Sequence, residues 1–220
     1  MADESIYEMA KKFATEEKVD REDLRYFLDK VVDSYNRLRK AAGKSIATAA
    51  ALAGLFVLMS AGGLTEAELF GVKVSRFALF LVIIPAAIAF MFLRYCALTK
   101  SSVIYQIVFY EITERHYPSW YESSLGSLLL TGNTNFGNAL HETYFEKGIG
   151  WRTVWLTSTL ELLFALLGPA AFDVYAYIFL FGAPEIDTVG VTVSAIVSGL
   201  LIVLGWLHFL IGPFGNEQKG

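Results

Sequence analysis

The sequence predicts an all-α, polytopic membrane protein: four transmembrane helices with cytoplasmic helical extensions. Three observations predict it. Of the 220 residues, 55% are hydrophobic and only 18% are charged, whereas a soluble domain carries about a quarter charged residues. The apolar residues gather in four runs, 45–61, 77–98, 155–180 and 190–212, each near the roughly 20 residues needed to cross a hydrocarbon core of about 30 Å. Lys and Arg fall almost entirely on one side of those runs.

The runs are expected to be helices. In lipid every backbone N–H and C=O needs an internal partner, which leaves helices or closed barrels. Barrel strands alternate apolar and polar residues over about ten positions, and these runs are continuously apolar. The first lies inside a stretch without charge between Lys44 and Glu66. The second carries Arg94 near its end, the third carries Glu161 and Asp173, and the fourth sits in a charge-free stretch that includes His208.

Orientation follows from the cationic residues, which collect on cytoplasmic segments. Residues 1–44 hold ten Lys and Arg, residues 94–152 hold five, and the tail holds Lys219; the loops 62–76 and 182–189 hold only Lys73 and Arg76. The split is 16 against 2. Both termini and the central loop are therefore expected in the cytoplasm. The chain divides into cytoplasmic N-terminal helices 1–44, a transmembrane hairpin 45–97 with external loop 62–76, a cytoplasmic helical region 98–152, a second hairpin 153–212 with external loop 182–189, and a tail 213–220. No apolar run follows Met1, so no secretory signal is expected. The single cysteine, Cys96, allows no internal disulfide.

The polar segments have helical patterns of their own. A short helix is expected over 4–17. Asp20 is an N-cap candidate with Asp23 in the first turn. Over 21–42, Leu24, Leu28, Val31, Tyr35 and Leu38 recur at steps of four, three, four and three, an a/d seam of two heptads. Two heptads are too few for an independent coiled coil, so the seam either packs on another cytoplasmic helix of this chain or makes a subunit contact. The second run continues as helix to His116, where Tyr117-Pro118 stops it. Residues 119–150 contain apolar stretches too short to cross, compatible with an interfacial amphipathic helix or burial between subunits, and a loop over 132–138. A short likeness between Gly71-Val72-Lys73-Val74-Ser75 and Gly190-Val191-Thr192-Val193-Ser194, 119 residues apart, is compatible with two duplicated hairpins.

Catalytic motifs fail on inspection. His141-Glu142 begins like a zinc-protease helix but lacks the second His, and the glycine pair 132 and 137 has Walker A spacing but is followed by Asn138 and Ala139 rather than Lys and Ser or Thr. No catalytic residue, metal site or cofactor is expected, and the net charge of −4 calls for no nucleic-acid partner. The chain is not expected to be an enzyme.

The chemistry expected to matter is intramembrane charge, which is costly and usually faces protein or water. Arg94, Glu161 and His208 fall at similar cytoplasmic-side depths by residue count, as an ion-pair cluster or an ion-path lining. Asp173, twelve residues beyond Glu161, lies about 18 Å further along the helix, within reach of a cation or of a hydroxyl such as Ser194. Pro85 and the pair Gly168-Pro169 are expected to kink their helices and release carbonyls. Small residues at four-residue spacing, Ala50 with Gly54 and Ser194 with Ser198, mark close helix or subunit contacts. The functional expectation is an ion channel or pore-forming membrane effector. It would be a homo-oligomer in the lipid bilayer, gated through its cytoplasmic helices by a protein or small-molecule trigger. The alternative is a non-conducting scaffold, sensor or transporter subunit that recruits a cytoplasmic partner.

Overall fold

The computed structural model describes residues 21–62, 67–69, 72–74, 78–119, 150–184 and 186–210; the side chains of the strand residues, of 150–162 and of 165 lie outside that description. The expected helix over 4–17, the Asp20 cap, most of the segment 119–150 with its loop, and the tail also lie outside the described residues.

Four long helices account for nearly all of what is described. Helix α1 runs Arg21–Ser60, α2 Ala78–His116, α3 Gly150–Gly182 and α4 Thr188–Leu210. Between α1 and α2, β1 (Ala67–Leu69) and β2 (Val72–Val74) pair antiparallel, with Glu68 opposite Lys73. The sequence reading treats this hairpin as plain loop. Three residues per strand is below what an alternation pattern can reveal.

Helix α1 merges two elements that the sequence reading separates, the helix over 21–42 and the run over 45–61. No proline falls within it, so nothing stops the hydrogen-bond ladder at the change from charged to apolar sequence. Glu22 and Asp23 occupy its first turn, where carboxylates favour the helix dipole. Helix α2 ends at His116 with Arg115 and His116 in the last turn, and Tyr117 N donates to Thr113 O at 2.9 Å before Pro118 ends the ladder. Gly62, after α1, adopts a φ of 72°, the left-handed conformation that closes helices and favours glycine.

Helices α1, α2 and α4 are long and apolar enough to cross a membrane, and α3 contains the shorter apolar stretch Leu166–Gly182 among its described residues. Large apolar side chains such as Phe164, Ile178, Val189 and Leu210 stand 70–76% exposed. Exposed apolar area on this scale is foreign to a soluble monomer and ordinary for a helix facing lipid.

The chain forms two compact units. One comprises residues 1–42, 98–161 and 212–220; the other comprises 43–97 and 162–211. In the first unit, the seam residues Leu24, Leu28, Val31 and Tyr35 of α1 pack on Val108, Phe109 and Ile112 of α2. The seam is thus filled within the chain; Leu38 is only partly buried and stays outside this cluster. Buried hydroxyls on α2 bond back onto their own helix, Thr113 Oγ1 to Phe109 O at 2.8 Å and Ser102 Oγ to Thr99 O at 2.7 Å, a common solution for Ser and Thr inside helices.

In the second unit, Phe56 of α1 is fully buried and meets Phe172, Tyr175 and Phe179 of α3 edge-on, with centroids 5.4–6.3 Å away. Edge-to-face pairs of this kind contribute about 0.5–1.5 kcal/mol each beyond area burial. Leu81, Ile84 and Ile88 of α2 and Val191 of α4 complete that cluster. A second cluster joins Ala89, Phe92 and Cys96 of α2 to Ile202 of α4.

Candidate functional site: a carboxyl–hydroxyl cluster

Helix α4 presents one narrow stripe to its neighbours. Val191, Ser194, Ser198, Ile202 and Gly205 are its buried residues, at steps of three, four, four and three, the repeat of a helix seam. Small members allow close backbones. At Gly205 a Cβ would lie 2.7 Å from Phe92 Cε1 and 3.5 Å from Leu93 Cα, so only glycine fits the α2–α4 approach as it stands. Asp187 sets the start of the helix: its Oδ2 accepts from Gly190 N at 3.0 Å and its Oδ1 from Val189 N at 3.4 Å, an N-cap for two amides that have no intrahelical partner.

The contacts give the helix directions. Ser194 meets Val82 and Gly205 meets Phe92, so α4 runs parallel to α2. Asp173 meets Ser198 and Tyr177 meets Ser194, so α4 runs antiparallel to α3. The turns that precede both interior prolines bond to α4. A proline lacks an N–H and crowds the carbonyl four residues back, which loosens the preceding turn. Three residues before Pro85, the Val82 carbonyl accepts from Ser194 Oγ at 2.6 Å; three residues before Pro169, the Leu166 carbonyl accepts from Trp206 Nε1 at 3.0 Å. Each disturbed turn therefore receives a donor from α4, as an apolar surrounding requires. Helices α2 and α3 continue through their prolines as single helices.

Asp173 and Tyr177, one turn apart on α3, face Ser198 and Ser194, one turn apart on α4. The Ser198 hydroxyl donates to Asp173 Oδ2. Tyr177 Oη and Ser194 Oγ are 2.9 Å apart. Asp173 is 7% exposed, and its Oδ1 is buried with no hydrogen-bond partner. A buried polar atom left unmatched costs about 1–3 kcal/mol, more when charged. The sequence reading pairs Asp173 with Ser194 as an example of a nearby hydroxyl. The partner is Ser198 instead, because the antiparallel register brings Ser194 level with Tyr177, one turn further along α3.

The other residues singled out by sequence fall elsewhere. Arg94 and His208 are exposed and are not recorded in this cluster. Glu161 lies on α3, with its side chain outside the described residues. Gly168 and Pro169 line an apolar cavity of about 220 Å³ together with Ala50, Ile88 and Phe172; no charged residue lines it. At Gly54 a Cβ would meet nothing within 4 Å, so the Ala50–Gly54 face is open in the single chain. In the other unit Arg39 is buried, with Nε lacking a hydrogen-bond partner.

Sequence reasoning missed Tyr177, Gly205 and Asp187, and the part Trp206 plays as a hydrogen-bond donor to α3. The i, i+4 spacing of Asp173 and Tyr177 was available as a signal, and so was Asp187 three residues before Gly190. Gly205 extends the Ser194–Ser198 series by seven residues. Among the described residues no group of three or more His, Cys, Asp or Glu is placed to hold a metal ion.

The chain matches no protein-family model, no curated protein and no solved structure.

Proposed function

We propose that this chain is the subunit of a homo-oligomeric integral membrane protein that conducts ions, gated through its cytoplasmic helices by a protein or small-molecule trigger. In this reading it crosses the bilayer four times, with α3 as the third span and both termini in the cytoplasm. The orientation rests on the 16 to 2 split of Lys and Arg.

The observation that carries the reading is Asp173. It is a buried carboxyl in an apolar helix, with one oxygen unmatched and three hydroxyls around it. Ionisable residues at such positions are expensive, and where they occur they mark ion and proton paths. A bundle of four helices leaves little room for a central path, so the pore is assigned to an assembly with cyclic symmetry about the membrane normal. Arg94 and His208, exposed in the single chain, and Glu161 on α3 are then available to line or gate a path between subunits. The open Ala50–Gly54 face supplies a surface for close subunit contact.

The alternative is a non-conducting scaffold, sensor or transporter subunit. It is favoured by the filled seam of the first unit, in which α1 and α2 present a preassembled helical pair suited to holding a cytoplasmic partner. Ion flux through purified protein in liposomes, with oligomer mass measured on the same preparation, separates the two. A defined oligomer that conducts supports the channel. A defined oligomer that stays silent across ions and voltages, yet retains a cytoplasmic partner, supports the scaffold.

A further inference from the structure

The hydrogens of the cluster can be counted. A hydroxyl carries one hydrogen. Ser194 spends its own on the Val82 carbonyl at 2.6 Å, so in the 2.9 Å contact with Tyr177 it accepts, and Tyr177 is the donor. Ser198 spends its hydrogen on Asp173 Oδ2. All three hydroxyl donors are committed. What is left is acceptor capacity: lone pairs on Tyr177 Oη and Ser198 Oγ, and Asp173 Oδ1, buried and unpartnered. Such a cluster repels an anion and lacks one positive charge.

The charge count sets the valence. Asp173 is the one carboxyl recorded in the cluster. The groups that face it among the described residues are Tyr177 of α3 and Ser198 of α4, with no cationic side chain among them. From α2 the cluster meets a backbone carbonyl, and from α1 the apolar residues Phe56 and Met59 share the hydrophobic cluster that packs on this part of α3. One carboxylate balances one unit of charge. A divalent ion would leave a net positive charge in apolar surroundings, which is as costly as the bare carboxylate.

We infer that Asp173, with Ser198 and Tyr177, forms a binding site for a single monovalent cation held on Asp173 Oδ1. The cation is a proton or an alkali-metal ion; both supply the same missing charge. Binding stands on the donor count alone, and only the statement that this cation is the conducted one rests on the proposed channel function.

The test is thermal unfolding of the purified full-length protein in detergent, in two series. In one, NaCl replaces choline chloride at constant ionic strength and pH. In the other, pH is stepped in choline chloride without sodium. A ligand that binds only the folded state at about 100 times its Kd raises Tm by roughly 5–10 °C for a chain of this size. The expected result is a saturable rise of that order in one series, absent in Asp173→Asn. In Ser198→Ala it moves to higher concentration in the sodium series, where a ligand oxygen is lost, and to lower proton concentration in the pH series, where the carboxylate loses a donor that favours its charged form. A rise with sodium identifies an alkali cation, and a rise confined to the pH series identifies a proton. If Asp173→Asn does not stay monodisperse, the Ser198→Ala series decides. The inference is overturned if the variants titrate like the wild type in both series, or if CaCl₂ or a change of anion reproduces the effect. Saturable binding without flux in liposomes would leave the site and remove the channel. Flux unaltered by Asp173→Asn, with no cation dependence of Tm, would remove the site and leave a pore elsewhere.

Discussion

Replacing Gly205 with alanine puts a Cβ 2.7 Å from Phe92 Cε1, 2.9 Å from Phe92 Cδ1 and 3.5 Å from Leu93 Cα. Real Cβ contacts do not approach 2.7 Å, so α4 must back away or the Phe92 ring must turn. Phe92 is 3% exposed and packs among Ala89, Cys96 and Ile202, which leaves the ring little space. Overpacking of this kind costs about 1–3 kcal/mol. Removing a mid-helix glycine stabilises by about 0.5–1 kcal/mol, so the variant alone gives an ambiguous sum. Gly199 supplies the control: it lies on the same helix, and a Cβ there meets nothing within 4 Å. The helix-propensity gain is common to both substitutions and cancels in the difference. Gly205→Ala should therefore melt below Gly199→Ala by roughly 2–12 °C, taking about 2–4 °C per kcal/mol for this chain length. Unfolding of purified protein in detergent, followed by tryptophan fluorescence, measures it. Equal melting temperatures, or a higher one for Gly205→Ala, would refute the close α2–α4 approach.

Two further outcomes follow from the same packing. Asp187→Ala leaves the amides of Val189 and Gly190 without their cap and should cost about 1 kcal/mol, read as a Tm lowered by roughly 2–4 °C; Asp187→Asn, which keeps an acceptor, should recover most of it. Cys96 is fully buried and is the lone cysteine, so its maleimide labelling in the folded protein should be at least ~100-fold slower than in denaturant, because the thiol is reached only through opening events that cost several kcal/mol. Fast labelling under native conditions would place α2 differently against α4.

Some of this architecture is legible in the sequence because it rests on local periodicity. The 3.5-residue repeat of Leu24, Leu28, Val31 and Tyr35 marks a helix face, and Tyr117-Pro118 marks the end of α2 from local sterics. The continuation of α2 beyond its apolar run, from Ala97 to His116, follows from good helix formers. Partner choice is not local. The seam alone leaves open whether α2 or another subunit fills it, and only the tertiary packing pairs it with Val108, Phe109 and Ile112. Ser194 and Ser198 are equally good partners for Asp173 on paper. The antiparallel register, a single number that no short motif encodes, assigns Ser198 to Asp173 and Ser194 to Tyr177. Depth counting placed Arg94 and His208 at similar levels, but a level says nothing of azimuth, and both turn outward in the single chain. The prolines were legible as weak points in their helices. That α4 supplies a donor beside each, through Ser194 and Trp206, was not, because it depends on two inter-helix contacts twelve residues apart on α4.

The most direct measurement is cation flux into liposomes reconstituted with wild type or Asp173→Asn, at matched oligomer mass and matched protein per vesicle. Asn keeps the shape of the side chain and removes its charge. If Asp173 is the ion-handling group, the wild-type oligomer conducts and the variant loses at least ~10-fold in flux while its oligomer stays intact. Equal flux from both would contradict that assignment.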